Sequence, residues 1–111
     1  MKRTIVVQSR QGDVLLHPVK NVDTSQGKKQ ERDSNGHLVL EYGEQTGHRH
    51  RFENAGVNLY IIEGGLRILE TEEESHLVHE EHDAIVFPAK TQFQVIRQTE
   101  YIEGRIVAVA D

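Results

Sequence analysis

Two histidine pairs are the residues of this sequence whose type and spacing most favour chemistry. His48 and His50 lie two positions apart, and His79 and His82 enclose two glutamates. If the first pair lies on a strand, its side chains alternate between two faces, so His48, His50 and Phe52 share one face. We expect neighbouring antiparallel strands to bring the second pair to that face, where the four imidazoles bind one metal ion.

The absence of cysteine narrows the kind of metal site. Imidazole and carboxylate ligands favour a divalent ion such as zinc, iron, manganese or nickel, and the pattern does not distinguish among them. Glu44 and Glu53 are the carboxylates nearest to the first pair, which makes them candidates for orienting a ligand or moving a proton. The sequence thus predicts a metal-binding protein, in one version a small metalloenzyme that acts on a small molecule.

A second interpretation needs no metal. In it His48 and His50 are solvated strand residues, and His79 and His82 are turn residues. The spacing of three within the second pair also differs from the His-Glu-x-x-His signature of zinc proteases. The protein is then a non-enzymatic interaction module of phage or bacterial origin, with a structural or incidental histidine cluster.

Composition limits the partners. The chain has 111 residues, which fit a single domain, and a net charge of −5, which argues against a nucleic-acid surface. No apolar run approaches the roughly 20 residues of a membrane span. The apolar run near the N-terminus has three residues, fewer than the about 7–15 of a secretory signal, so we expect a cytoplasmic protein.

Short segments rich in Val, Ile, Leu and Thr alternate with Gly, Asn and Asp, which is typical of all-β folds. The strands are predicted at residues 4–8, 13–19, 37–42, 57–62, 66–70, 76–79, 84–87, 92–101 and 105–110. Residues 9–12 are predicted as a hairpin turn, and residues 21–36 as a mobile polar loop ending in an Asn35-Gly36 turn. We expect one β domain over residues 1–111, a small antiparallel barrel or jelly-roll sandwich, which pairs into a homodimer.

The segment around the first histidine pair resembles the first motif of the cupin superfamily. Its order of Gly, His-x-His, Glu and Gly is matched by Gly43, His48, His50, Glu53 and Gly56, with shorter spacers. The resemblance implies a small β-barrel with a metal site. The second cupin motif places a histidine after a proline turn, where this chain has Gln92, so His79 or His82 is the expected substitute.

The chain also resembles a group of short uncharacterised bacterial and phage proteins. That likeness covers most of the chain and is carried by the segments at 11–16, 43–50, 79–82 and 98–101, which include the Thr-Gly-His-x-His and His-Glu-Glu-His motifs. It implies no activity.

Overall fold

A computed structural model describes residues 9–42, 48–97, 99–102 and 105–108, with side chains described for residues 9–41 and 48–97. The strand predicted at 4–8 and the corner at 43–47, including Glu44, lie outside the described residues. No helix in the described part of the chain is long and apolar enough to span a membrane.

The described chain is all-β, as predicted, with one short 3-10 turn at Glu63–Gly65. The strands are β1 (Ser9–Gln11), β2 (Val14–Val19), β3 (Lys28–Lys29), β4 (Leu38–Tyr42), β5 (Arg49–Phe52), β6 (Val57–Ile61), β7 (Arg67–Thr71), β8 (Ser75–His79), β9 (His82–Phe87), β10 (Gln92–Arg97), β11 (Thr99–Ile102) and β12 (Arg105–Ala108).

The strands form two main antiparallel sheets that pack as a β-sandwich. One sheet has six strands in the order β1-β2-β10-β7-β6-β3, and the other has four in the order β4-β5-β8-β9. Strands β11 and β12 pair with each other. The described strands do not close into a barrel, so of the two predicted architectures the sandwich is confirmed.

Three local features differ from the predicted strand pattern. The strand predicted at 92–101 is divided between β10 and β11, which belong to different sheets. Residues 9–11 form β1, which pairs with β2, so the hairpin turn lies at Gly12 and Asp13, later than predicted. Gly12 has a φ of 57°, a left-handed conformation that glycine adopts without steric cost. The polar segment at 21–36 contains the short strand β3, which pairs with β6. The predicted turn is present, since the Gly36 N–H donates to the Asp33 carbonyl.

The hydrophobic core lies between the two sheets. Phe87 on β9 contacts Phe52 on β5 and Phe93 on β10, with ring centroids 5.7 and 4.7 Å apart. All three rings are buried, and they link the four-stranded sheet to the six-stranded one. Aliphatic side chains surround them, namely Val14, Leu16, Leu38, Leu40, Val57, Leu59, Leu69, Leu77 and Val95.

The β1–β2 hairpin also joins the two sheets through a polar contact. The Gln11 amide Nε2 donates to the carbonyl oxygens of Leu77 on β8 and Asp83 on β9, at 2.9 and 3.0 Å. Because the side chain is 3% exposed, these bonds form where water does not compete. This contact fixes the hairpin beside the turn that connects β8 and β9.

Candidate metal centre

Strand β5 places the first histidine pair as the alternation rule requires. His50 and Phe52 are fully buried, while Arg49 and Arg51 are half-buried on the other face. Arg49 pairs with Asp33 at 2.9 Å, and Arg51 pairs with Glu53 at 3.1 Å. The outward arginines therefore orient the strand so that His50 points into the protein. His48 precedes the strand and is half-buried.

The second histidine pair lies across the β8–β9 hairpin. His79 is the last residue of β8 and His82 the first of β9, and their backbones are directly opposite each other in the ladder. Opposed residues of an antiparallel pair carry their side chains on the same face of the sheet. His79 is 6% exposed, so this face points into the protein.

The fold brings all four predicted imidazoles together. The ring centroid of His79 lies 5.5 Å from that of His48, 4.3 Å from that of His50 and 4.6 Å from that of His82. The rings of His50 and His82 are 5.8 Å apart. His79 is thus the central ring of a cluster formed by residues from three successive segments of the four-stranded sheet. We call these four residues the imidazole cluster.

Gln11 determines which nitrogen of His50 carries a hydrogen. Its Nε2 already donates to two carbonyls, so its Oε1 is the acceptor that faces Nδ1 of His50 at 2.8 Å. Nδ1 of His50 must therefore be the donor. In the neutral ring Nε2 then holds a lone pair, which is the tautomer that a metal ligand needs.

Asp13 lies on the other side of the same ring. Its Oδ1 is 3.4 Å from Nε2 of His50, and its Oδ2 accepts a hydrogen bond of 3.1 Å from Nε of Arg97. The Asp13 side chain is 4% exposed and that of His50 is fully buried. A carboxylate and an imidazole nitrogen therefore face each other in a site shielded from water.

His79 has the opposite tautomer in its neutral form. The backbone N–H of Glu81 donates to Nδ1 of His79 at 3.0 Å, so the hydrogen of this ring lies on Nε2. Binding a metal through either nitrogen would require this ring to lose a hydrogen bond or move its hydrogen. Of the described residues, no three His, Asp or Glu side chains have a geometry that could hold a metal ion as they stand.

The comparison with known proteins identifies a family. A family profile described as "Domain of unknown function (DUF8820)" matches residues 10–98. The chain belongs to the DUF8820 family. The matched residues include the whole imidazole cluster, Gln11 and Asp13. No curated protein and no solved structure matches the chain.

The rim of the cluster in this DUF8820 protein is acidic. His48 is 26% exposed, and its Nδ1 lies 3.6 Å from a carboxylate oxygen of the exposed Glu81. Glu80 pairs with Arg51 and accepts a hydrogen bond from the N–H of Arg49. Burial raises the pKa of Glu80, but the hydrogen bond and the Arg51 charge outweigh it, so the pKa is lowered. The mouth of the cluster therefore holds two carboxylates, one of which is paired with Arg51.

Of the two carboxylates predicted to assist catalysis, only Glu53 lies among the described residues of the DUF8820 structure. Glu53 is half exposed and pairs with Arg51, on the face of β5 opposite to His50. Its carboxylate therefore belongs to the outer surface of the strand. Glu44 lies outside the described residues.

Sequence reasoning missed Gln11 and Asp13. Both are polar residues next to Gly12, and such a run is typical of an exposed hairpin turn. Their partner His50 is 39 positions from Gln11 along the chain. The one available signal was the alternation of Gln11 and Asp13, which is compatible with two side chains on the same side of a hairpin.

Proposed function

We propose that this protein binds a divalent transition metal at the imidazole cluster and acts as a small metalloenzyme on a small molecule. The observation that carries the proposal is the buried ring of His50, whose Nδ1 is bonded to Gln11 and whose Nε2 points toward other potential ligands. Metal-binding histidines commonly donate their second ring N–H to a fixed acceptor in this way.

The spacing of the rings supports the same proposal. Two imidazoles bound to one zinc ion at about 2.0–2.1 Å, with a tetrahedral angle between them, have ring centroids about 5 Å apart. The centroid distances in the cluster range from 4.3 to 5.8 Å. These centroid distances are compatible with several nitrogens directed at one ion after side-chain rotation.

Partial exposure of His48 supports an enzymatic role. The other side of the cluster is closed by β1 and by the core, whereas the His48 side reaches solvent. A metal held there could keep one coordination position for water or substrate, and a metal-bound water is a strong nucleophile at neutral pH. The reacting molecule would enter past His48 and Glu81.

Metal analysis of protein purified without a His tag tests the proposal. We expect about one equivalent of metal per chain after reconstitution with Zn²⁺, Mn²⁺ or anaerobic Fe²⁺, and loss of that metal in His48→Ala and in His82→Ala. His76→Ala is the matched control, because His76 lies on β8 but is half exposed and pairs with Glu74. Wild-type protein that takes up none of these metals would overturn the proposal.

A second candidate function is an interaction module in which the cluster is structural. Two observations favour it: His79 accepts a hydrogen bond from the Glu81 N–H, and the ligand atoms do not converge as they stand. The packed imidazoles would then fill the space between the strands that carry them. This candidate predicts that His48→Ala leaves the metal content as it is in His76→Ala but lowers the unfolding temperature more than His76→Ala does.

A further inference from the structure

The buried carboxylate of Asp13 is the strongest unexplained feature beside the imidazole cluster. Asp13 lies in the β1–β2 turn, yet its side chain is 4% exposed. Aspartate in a tight turn usually points to solvent. Arg97 neutralises one carboxylate oxygen, Oδ2, and leaves Oδ1 directed at Nε2 of His50.

The contact between Oδ1 and Nε2 brings two electron-rich atoms together. Gln11 holds the hydrogen of the neutral His50 ring on Nδ1, so Nε2 presents a lone pair to the carboxylate. Two such atoms in a water-free site repel each other unless a positive charge lies between them. Either a proton on Nε2 or a metal ion meets this requirement.

The distance between the two atoms is compatible with a shared metal ion. Two atoms bound to one ion at about 2.0–2.1 Å with a tetrahedral angle are about 3.3 Å apart. The separation of Oδ1 and Nε2 is 3.4 Å. A charge-assisted N–H···O bond has a typical length of about 2.7–2.9 Å, so the observed distance is long for an imidazolium–carboxylate bond.

We infer that Asp13 is a carboxylate ligand of the metal site and binds the same ion as His50. This inference rests on the proposed function, and it adds an oxygen ligand that the histidine pattern does not contain. His82 is the third ligand. Its Nε2 is buried and makes no hydrogen bond within the part of the chain that has described side chains, so turning this ring toward the ion sacrifices no such bond.

His79 supports the site by packing and is not one of the three ligands. Its Nδ1 is bonded to the Glu81 N–H, while its ring lies against those of His50 and His82. It therefore packs against both ligand rings from the side. His48, on the solvent side, completes the coordination.

Two imidazoles and one carboxylate define the class of ion. This set of nitrogen and oxygen ligands suits Fe²⁺, Mn²⁺, Co²⁺ or Zn²⁺ and disfavours copper(I), which selects thiolates and thioethers. It also leaves coordination positions open on the His48 side. A site of this kind can bind a small anionic or carbonyl-containing molecule directly to the metal.

Titration with Co²⁺, followed by its visible absorption, tests the role of Asp13. We expect wild-type protein to bind one Co²⁺ and Asp13→Asn to bind it more than tenfold more weakly, with a changed spectrum. Asp83→Asn is the matched control, since the Asp83 side chain is exposed and only its carbonyl contacts Gln11. Arg97→Gln keeps the Asp13 carboxylate and is expected to bind Co²⁺ within a few-fold of wild type.

Asp13→Cys provides a readout that does not depend on affinity. The natural chain has no cysteine, so a thiolate-to-cobalt charge-transfer band in this variant can come only from position 13. We expect that band. Asp13→Asn and Asp13→Cys that bind Co²⁺ like wild type without new absorption would overturn the inference, while the metal site itself would stand. Wild-type protein that binds no Co²⁺ or Zn²⁺ would overturn both.

Discussion

At the scale of single residues, Gln11 is the side chain on which the chemistry of His50 depends. It makes three hydrogen bonds from a buried position, two to carbonyls of β8 and β9 and one to the His50 ring. An amide can do this because it carries both donors and an acceptor. The backbone of the β8–β9 hairpin thus fixes the tautomer of a ring on β5.

Gln11→Leu is expected to weaken both metal binding and folding. Loss of the acceptor for His50 should reduce Zn²⁺ affinity about 10–100-fold, as for other groups that orient a metal-binding histidine. Each buried group left without a partner costs about 1–3 kcal/mol, so the free energy of unfolding of the metal-free protein should also fall. Competition with a zinc indicator and urea unfolding measure the two effects. Gln94→Leu on β10 is the control, and unchanged Zn²⁺ affinity in Gln11→Leu would contradict the account.

At the scale of elements, the two faces of β5 carry side chains with different roles. Its inner face carries His50 and Phe52, one for the site and one for the core. Its outer face carries Arg49, which pairs with Asp33 of the preceding loop. The same Asp33 carboxylate accepts hydrogen bonds from the N–H groups of Asn35 and His37. The loop turn and the strand are therefore fixed together.

The stability that Asp33 supplies is expected to depend on pH. The pKa of Asp33 lies below its usual 3.8, mainly because its carboxylate accepts a hydrogen bond from the His37 N–H. The hydrogen bond from Asn35 and the nearby charges of His37 and Arg49 lower it further, although burial opposes this. A carboxyl whose pKa is lowered by folding stabilises the protein above its unfolded pKa, and this contribution is lost as pH falls through the folded pKa.

Urea unfolding of wild type and Asp33→Asn checks this dependence. The wild type should be more stable at about pH 7, and the difference should shrink toward about pH 3. Glu63→Gln, at an exposed residue of the 3-10 turn, is the control and should show no such trend. A difference that grows as the pH falls would contradict the assignment.

The sequence predicted most elements because their residues alternate locally, and it failed where a contact is distant along the chain. The strands at 57–61 and 67–71 follow from two runs of apolar residues separated by Gly64 and Gly65. The pairing of His79 with His82 follows from a short hairpin. The contacts of His50 with Gln11 and Asp13 depend on the packing of two sheets, which no local pattern encodes. The short strand β3 was missed because two lysines carry no apolar alternation.

At the scale of the whole molecule, Phe87 connects the two sheets. Its ring packs edge-on between Phe52 of one sheet and Phe93 of the other. Since the imidazole cluster lies on the same strands, β5 and β9, the sandwich core also determines the position of the site. Phe87 is fully buried, so little rearrangement can fill the space of a lost ring.

Phe87→Ala is expected to lower the free energy of unfolding by about 3–5 kcal/mol, through lost burial and the cavity left behind. Leu66→Ala is the control, because Leu66 is 44% exposed and should change stability by less than about 0.5 kcal/mol. Chemical denaturation measures both. Equal effects of the two substitutions would show that the aromatic link is not the centre of the core.

The homodimer stays a prediction, and the sandwich indicates where it would form. The edges of the six-stranded sheet are β1 and the two-residue strand β3, which are too short to pair well. The edges of the four-stranded sheet, β4 and β9, have five and six residues. Sedimentation velocity should give twice the chain mass of 12.7 kDa, and a charged substitution at Val86 on β9 should reduce it. A wild-type monomer at all concentrations would contradict the prediction.

The most direct test of the central claim is the location of a metal in a crystal. Tag-free protein is crystallised with Zn²⁺, and anomalous diffraction is recorded on both sides of the zinc absorption edge. We expect one peak within about 2.0–2.2 Å of Nε2 of His50, inside the imidazole cluster. Absence of a peak there, with Nδ1 of His50 still bonded to Gln11, would contradict it.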